Sequence, residues 1–200
     1  MSLKAILKGA GYLGLTLWLL AVQQVVRADE IKLLAFGDSL TAGYGLAPGE
    51  GFTDQLQAAL RKDGFDVKIL NGGVSGDTSA GGLARLDWML AGDPPPQAVI
   101  LELGANDGLR GLDPSETHKN LTAILAKLAE RQIPVLLAGM LAPPNMGREY
   151  GDDFNGLYGK LAASHDVVYY PFFLEGMAEV VRRILPAVKE LLNSNSVTVY

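Results

Sequence analysis

Three residues that could stabilise a developing negative charge each follow an apolar run of the chain. Ser39 comes shortly after the first run, Gly76 after the second and Asn106 after the third. A serine hydroxyl is a potential nucleophile, a glycine lets its own backbone N–H approach a ligand closely, and an asparagine amide donates hydrogen bonds. Together with the N–H of Ser39, these donors could form an oxyanion hole. One such donor typically contributes about 3–4 kcal/mol in the transition state.

Each of these residues also has an ordinary structural role as an alternative. Ser39 could cap a helix, Gly76 could be a turn glycine, and Asn106 could form an Asx turn with Asp107. Taken singly, these roles are the commoner explanation. Their order, each just after a strand-like run, favours the chemical interpretation, because the carboxyl ends of parallel strands border the ligand crevice of an open α/β sheet.

Strand-like and helix-like segments alternate along the chain and predict an α/β fold. Short apolar runs indicate buried strands at 31–36, 66–70, 98–103, 134–140 and 167–170. Apolar residues at helical spacing indicate helices at 51–62, 78–90, 114–131, 150–164 and 179–192. Buried strands joined by right-handed helical crossovers predict a three-layer α/β/α sandwich with a five-stranded parallel sheet. One domain is expected over residues 29–193.

The first 28 residues have the layout of a secretory signal peptide. Lys4 and Lys8 precede a short apolar run, and Val26-Arg27-Ala28 has small residues at the positions that a signal peptidase requires. A membrane anchor is the alternative, because no charge interrupts residues 9–26. We expect cleavage after Ala28, a periplasmic or secreted mature protein, and no stable membrane span thereafter. Residues 194–200 are predicted to be a disordered tail.

Composition excludes several classes of function. The formal net charge of −5 argues against a nucleic-acid partner, which would call for clustered lysine and arginine. The absence of cysteine excludes disulfides and thiolate chemistry. A nucleotide-binding module is disfavoured, because neither Gly-x-x-x-x-Gly-Lys nor Gly-x-Gly-x-x-Gly follows a strand.

Three segments of the sequence carry a resemblance to a known family. Residues 36–41 read FGDSLT, residues 73–78 read GVSGDT and residues 103–108 read LGANDG. They resemble blocks I, II and III of the GDSL (SGNH) hydrolases, and are most similar to the bacterial arylesterase and thioesterase I/lysophospholipase L1 branch. The resemblance implies a flavodoxin-like SGNH hydrolase fold, with Ser39 as nucleophile and with Gly76 and Asn106 as oxyanion-hole donors.

The same resemblance implies the substrate class. A relative with all its blocks would act as a lipase-like hydrolase on a small acyl ester or thioester, such as an aryl ester, an acyl-CoA or a lysophospholipid, without a metal or organic cofactor. Asp38, Asp77 and Asp107 of the three blocks could contact a ligand or a cation. Pro143 lies in a segment that resembles one bordering the acyl pocket. We expect a monomer.

One block of the family is missing from this chain. Block V, Asp-x-x-His, should lie between the fifth strand and the last helix, where the histidine takes the serine proton and the aspartate orients that histidine. No histidine follows His165, no aspartate follows Asp166, and the resemblance breaks near Met177. His165 is expected at the opposite end of the sheet from the crevice, and His118 on a solvated helix face. We therefore expect an impaired esterase, with a non-catalytic acyl-ligand-binding protein or an internally truncated gene as alternatives.

Overall fold

A five-stranded parallel sheet forms the centre of the molecule. The structure is a computed structural model that describes residues 30–175 and 179–194. Within those ranges the strand order is β2-β1-β3-β4-β5. The strands are β1 (Ile31–Gly37), β2 (Val67–Gly73), β3 (Ala98–Glu102), β4 (Val135–Ala138) and β5 (Val168–Tyr170).

Helices connect the strands and cover both faces of the sheet. They are α1 (Ser39–Ala42), α2 (Phe52–Lys62), α3 (Ser79–Met89), α4 (Ala105–Leu109), α5 (Pro114–Glu130), α6 (Arg148–Ser164) and α7 (Val180–Asn193), with a 3₁₀ turn at Pro144–Met146. Helices α2 and α7 pack together, α3 packs on α5, and α5 packs on α6. Right-handed crossovers place α2 and α7 on one face of the sheet and α3, α5 and α6 on the other. The predicted three-layer α/β/α sandwich is confirmed.

The direction of the chain through the sheet reverses between β1 and β3. From β1 the chain moves outward to β2, and it then crosses to β3 on the other side of β1. In doubly wound sheets this switch point opens a crevice at the carboxyl ends of the two central strands. The residues that follow β1 and β3 therefore face each other across the crevice.

Strand β2 is longer than its apolar run predicts. It extends three residues past the predicted end, because Gly72 and Gly73 pair with Phe36 and Gly37 of β1. A glycine is required at Gly73, since a Cβ atom there would lie 2.8 Å from the carbonyl oxygen of Asp38 and closer still to the backbone of Ala42. The close approach packs the end of β2 against α1.

Two short helices, α1 and α4, are absent from the sequence prediction. They span only four and five residues, too few to show a helical period. Apart from β2, the predicted elements begin and end within two residues of their observed bounds.

Three regions with a sequence-based prediction lie outside the described residues. They are the signal peptide at residues 1–28, the tail after Ser194 and the break near Met177. Where the chain is described, none of its helices combines the length and the apolar character needed to cross a membrane.

Candidate active site

Ser39 is the first residue of α1 and directly follows the end of β1. Asp38 caps this helix, and its Oδ1 accepts a hydrogen bond from the N–H of Leu40 at 3.0 Å. Ser39 itself is half-buried. Because the first N–H groups of a helix have no partners within the helix, they favour negative charge at this position. The role of the Ser39 hydroxyl as nucleophile stays a prediction.

Asn106 lies next to the loop that carries Ser39. It belongs to the first turn of α4, just after β3, and its Nδ2 donates to Oδ2 of Asp38 at 2.8 Å. The two loops meet because Gly37 at the end of β1 pairs with Glu102 at the end of β3. The predicted proximity of these loops at one edge of the sheet is found in the structure.

Gly76 lies on the same rim. Its carbonyl oxygen accepts a 2.7 Å hydrogen bond from Nη2 of Arg110, and the N–H of Arg110 in turn bonds to the carbonyl of Asn106. Gly76 has a φ of +81°, a conformation that glycine adopts readily and other residues seldom do. Within the described part of the chain, no group accepts the N–H of Gly76.

Arg85 joins the second block to the end of β1. Its Nε bonds to Asp77 at 2.6 Å, its Nη2 bonds to the carbonyl of Gly37 at 3.0 Å, and its guanidinium stacks 4.2 Å from the ring centre of Phe36. Asp77 therefore has a protein partner. Its role as a ligand-binding residue stays a prediction. The arginine holds the loop after β2 against the strand that leads to Ser39.

Asp107 is buried beneath the rim and has three donors around it. The N–H of Ser79 lies at 2.8 Å, the hydroxyl of Ser79 at 2.5 Å and the hydroxyl of Thr117 at 3.1 Å. These bonds tie α4 to α3 and α5. A ligand-binding role for Asp107 stays a prediction, as does that of Pro143, which lies against α4 beside Gly108.

Glu102 is a buried carboxyl group that the sequence analysis did not single out. It is fully buried at the end of β3, and its Oε2 accepts the hydroxyl of Thr41 at 2.8 Å and the N–H of Asp38 at 3.3 Å. A Cβ atom on Gly37 would lie 2.5 Å from that oxygen, so glycine makes room for the carboxyl. The available signal was an acidic residue ending an otherwise apolar strand.

Asp38 and Glu102 are close to each other, and their environment favours the neutral form of Glu102. Burial, reinforced by the nearby charge of Asp38, raises the pKa of Glu102 to about 8. Burial also raises the pKa of Asp38, but hydrogen bonds from Leu40 and Asn106 oppose that rise. Glu102 therefore holds a proton at neutral pH. Oε1 of Glu102 has no hydrogen-bond partner among the described residues.

The two histidines lie where neither has a described contact with Ser39. His165 follows the last residue of α6, three residues before β5, and its Nδ1 is 2.9 Å from the carbonyl of Leu161. It is therefore at the amino end of the sheet, as predicted. His118 lies half-buried on α5, with its Nδ1 3.5 Å from the hydroxyl of Thr122.

A cleft of about 860 Å³ lies beside Ser39. Its walls come from α1, α2 and α7 and from the residues after β5, and none of its described lining residues is a histidine. Among residues 30–175 and 179–194, no group of three or more histidine or acidic side chains is arranged to hold a metal ion.

Comparison with known proteins agrees with this fold. Residues 35–190 match the model of the GDSL-like Lipase/Acylhydrolase family. Esterase TesA of Pseudomonas aeruginosa is 44% identical over 148 residues, which cover 74% of this chain and 73% of that protein. Thioesterase 1/protease 1/lysophospholipase L1 of Escherichia coli K12 is 41% identical and covers 72% of this chain and 67% of its own.

Solved structures give the same result. AlinE4, an SGNH-hydrolase family esterase, superposes with a TM-score of 0.73 at 45% identity and covers 84% of this chain and 94% of its own. The sheet order and the helix coverage thus define an SGNH-type α/β/α hydrolase fold. The chain belongs to the GDSL-like lipase/acylhydrolase family, and it is an ester hydrolase by that membership.

Proposed function

We propose that this protein hydrolyses carboxylic esters and thioesters through an acyl-enzyme formed on Ser39. The 2.8 Å bond between Asn106 and Asp38 is the observation that carries this proposal, because it supports a shared role for the loops after β1 and β3. We assign the oxyanion-hole donors to the N–H of Ser39, the N–H of Gly76 and the side-chain amide of Asn106. The substrate is a small acyl compound of the kind that the names of the relatives describe: an aryl ester, an acyl thioester or a lysophospholipid.

The reaction proceeds in two halves on this assignment. Oγ of Ser39 bonds to the carbonyl carbon, its proton passes to water or a solute base, and the three donors hold the resulting oxyanion. The intermediate collapses and expels the alcohol or thiol, which takes up a proton from water. A water molecule then attacks the acyl-enzyme, the carboxylic acid leaves, and Ser39 regains its proton.

The missing Asp-x-x-His block limits the rate in this proposal. A serine without a paired base is a poor nucleophile, but an oxyanion hole and substrate binding alone can leave about 10³–10⁴-fold acceleration over water. We therefore expect slow, serine-dependent turnover. Neither His118 nor His165 is assigned a catalytic role.

The test compares the wild-type protein with Ser39→Ala on p-nitrophenyl acetate and butyrate. Wild-type protein is expected to hydrolyse both esters faster than Ser39→Ala, and a fluorophosphonate is expected to label Ser39 covalently. The matched control is Ser115→Ala, which removes an exposed serine hydroxyl near the start of α5. Equal rates for wild type and Ser39→Ala, with no labelling, would exclude serine catalysis.

A non-catalytic acyl-ligand-binding protein is the second candidate. It is supported by the cleft beside Ser39, whose described lining residues include no histidine. This candidate predicts that fatty acids bind while ester hydrolysis is the same in wild type and Ser39→Ala. The same pair of proteins therefore separates the two candidates.

We also propose that the chain is exported and that residues 1–28 are removed. The support is the arrangement of Lys4, the apolar run and Val26-Arg27-Ala28 in the sequence. Mass spectrometry of protein isolated from the periplasm or medium should give a mature chain that begins at Asp29. A product that keeps Met1 in the membrane fraction would support the anchor instead.

A further inference from the structure

The loop after β2 forms a tight turn at residues 74–77. The N–H of Asp77 donates to the carbonyl of Val74 at 3.0 Å, and Gly76, the third residue of the turn, has a φ of +81°. A positive φ at the third residue is typical of a type II turn and favours glycine there. Val74, Ser75 and Gly76 are all exposed. Burial in the core therefore does not fix the position of the Gly76 N–H, and hydrogen bonds must do so.

The two ends of this turn are attached to β1 and α3. The N–H of Val74 donates to the carbonyl of Gly37 at 3.1 Å. Arg85 donates to the same carbonyl at 3.0 Å and to the carboxylate of Asp77 at 2.6 Å. These bonds fix the first and last residues of the turn. None of them involves Gly76, which lies between those ends.

Arg110 connects Gly76 to the segment that carries Asn106. It directly follows α4, and its Nη2 donates to the carbonyl of Gly76 at 2.7 Å. Its backbone N–H donates to the carbonyl of Asn106 at 3.1 Å, one helical turn earlier. Among the hydrogen bonds of residues 30–175 and 179–194, no other joins residues 74–77 to α4 or Arg110. Arg110 is therefore bonded to both of the proposed oxyanion donors that lie outside α1.

The guanidinium of Arg110 has no competing acidic partner in the described part of the chain. Arg85 pairs with Asp77, whereas Arg110 forms no ion pair with a described carboxylate. Its 2.7 Å bond to Gly76 is at the short end of the usual range of about 2.7–3.2 Å, as expected for a charged donor. The bond to the Gly76 carbonyl is therefore the interaction that this side chain makes with the described protein.

The function of an oxyanion donor depends closely on its position. The donor must lie about 2.7–3.1 Å from the developing oxyanion, and a displacement of about 1 Å can reduce a rate by about 10²-fold. Glycine adopts positive and negative φ with similar ease, so Gly76 does not by itself hold its N–H in one place. A bond that restrains Gly76 relative to Asn106 therefore affects how well both donors reach one oxygen atom.

We propose that Arg110 is a positioning residue that restrains the N–H of Gly76 relative to the side-chain amide of Asn106, so that both donate to the same oxyanion. The inference rests on the proposed function, because that function assigns the two donors. Arg110 acts through Gly76 and does not contact the reacting atoms. It should therefore affect the transition state more than the binding of the substrate.

The variant that tests this inference is Arg110→Met, and its matched control is Arg131→Met. Methionine keeps an unbranched side chain but donates no hydrogen bond. Arg131 is also exposed, but it follows the end of α5, at the opposite end of the sheet from Ser39. Arg110→Lys keeps a charged donor without the planar guanidinium. Arg110→Ala replaces Arg110→Met if the latter does not fold by circular dichroism.

The first measurement is the hydrolysis of p-nitrophenyl acetate, with kcat and KM determined separately. Arg110→Met is expected to lower kcat by about tenfold because the Gly76 donor is no longer held in place, while KM stays within about twofold of wild type. Arg110→Lys should give an intermediate kcat, and Arg131→Met should match wild type. A raised KM with unchanged kcat in Arg110→Met would overturn the inference, since Arg110 would then bind the substrate itself.

The second measurement is the ¹⁵N order parameter of the Gly76 amide, which needs no turnover and reports motion on the picosecond-to-nanosecond timescale. It is expected to decrease in Arg110→Met and to stay at the wild-type value in Arg131→Met. An unchanged Gly76 amide together with a lower kcat would overturn the inference, because the charge of Arg110 would then act on the oxyanion directly.

The two measurements also separate this inference from the proposed function. If acetate hydrolysis depends on Ser39 but kcat and the Gly76 amide are the same in wild type and Arg110→Met, the inference fails and the proposed function stands. If Ser39→Ala hydrolyses acetate at the wild-type rate, the proposed function fails. The order parameter of the Gly76 amide then decides by itself whether Arg110 restrains the turn.

Discussion

The side-chain amide of Asn106 donates a 2.8 Å hydrogen bond to Oδ2 of Asp38, the residue immediately before Ser39. The other carboxylate oxygen of Asp38 accepts the N–H of Leu40, so one side chain fixes both the start of α1 and the orientation of the amide after β3. A primary amide carries two N–H donors. The second one has no acceptor within the described part of the chain, which fits the oxyanion-hole role that we propose for Asn106.

We predict that Asn106→Ala lowers kcat for p-nitrophenyl acetate by about 10²-fold or more, because one oxyanion donor is lost. KM should change little, since the bond strengthens mainly in the transition state. Asn193→Ala is the matched control, because Asn193 is exposed at the end of α7. Unchanged kcat in Asn106→Ala would remove this residue from the oxyanion hole.

Gly73→Ala is predicted to destabilise the protein by about 1–3 kcal/mol, the usual cost of overfilling a packed site. The added Cβ would meet the backbone of Ala42 in α1 and the carbonyl oxygen of its cap Asp38, which cannot move without displacing Ser39. Urea denaturation measures the change. Gly151→Ala is the control, because a Cβ there meets no atom within 4 Å and alanine favours the helix that contains it. A Gly73→Ala protein as stable as wild type would show that α1 does not depend on this close approach.

The sequence predicts those helices and strands in which an apolar pattern extends over many residues. The buried run of β3 and the helical period of α5 extend over enough residues to fix the type of each element. Helix α1 was missed because its four residues are defined by the Asp38 cap and by packing on Gly73, neither of which shows as a period. The end of β2 was missed because Gly72 and Gly73 pair in the sheet although glycine is rare in strands.

The same distinction applies to the candidate site. The positions of Ser39 and Asn106 at one edge followed from their order after successive strands. Glu102 was missed because its carboxyl is held by contacts that only the folded chain brings together, with Thr41 and the N–H of Asp38. The apolar pattern of a strand predicts that such a residue is buried, but it does not predict which groups contact its carboxyl.

Glu102 should make stability depend on pH. Its pKa rises from an ordinary value near 4.5 to about 8 on folding. Between these values the native state binds a proton that the unfolded state has released, so the free energy of unfolding decreases as pH rises from about 4.5 to about 8. Glu102→Gln is uncharged throughout and can still accept from Thr41 and Asp38. The variant should therefore show a smaller decrease over this interval.

Guanidinium denaturation at several pH values measures this dependence. The control is Glu130→Gln, which removes an exposed carboxylate at the end of α5. It should reproduce the wild-type profile. Parallel profiles for wild type and Glu102→Gln would show that Glu102 does not take up a proton on folding in this interval.

Added imidazole should raise the rate of ester hydrolysis if Ser39 lacks only a base. The cleft of about 860 Å³ beside Ser39 is large enough for this small molecule, and no described lining residue supplies a histidine in its place. A neutral imidazole there would take the Ser39 proton as Oγ attacks the ester. General-base catalysis of this kind typically accelerates a reaction by a factor of about 10²–10⁴. The measurement is the rate of p-nitrophenyl butyrate hydrolysis against imidazole concentration, after subtraction of the imidazole-only reaction. Wild type should give a saturable increase and Ser39→Ala none. An increase of equal size in both proteins would mean that imidazole acts on the ester in solution. It would contradict the hypothesis that Ser39 lacks only a general base.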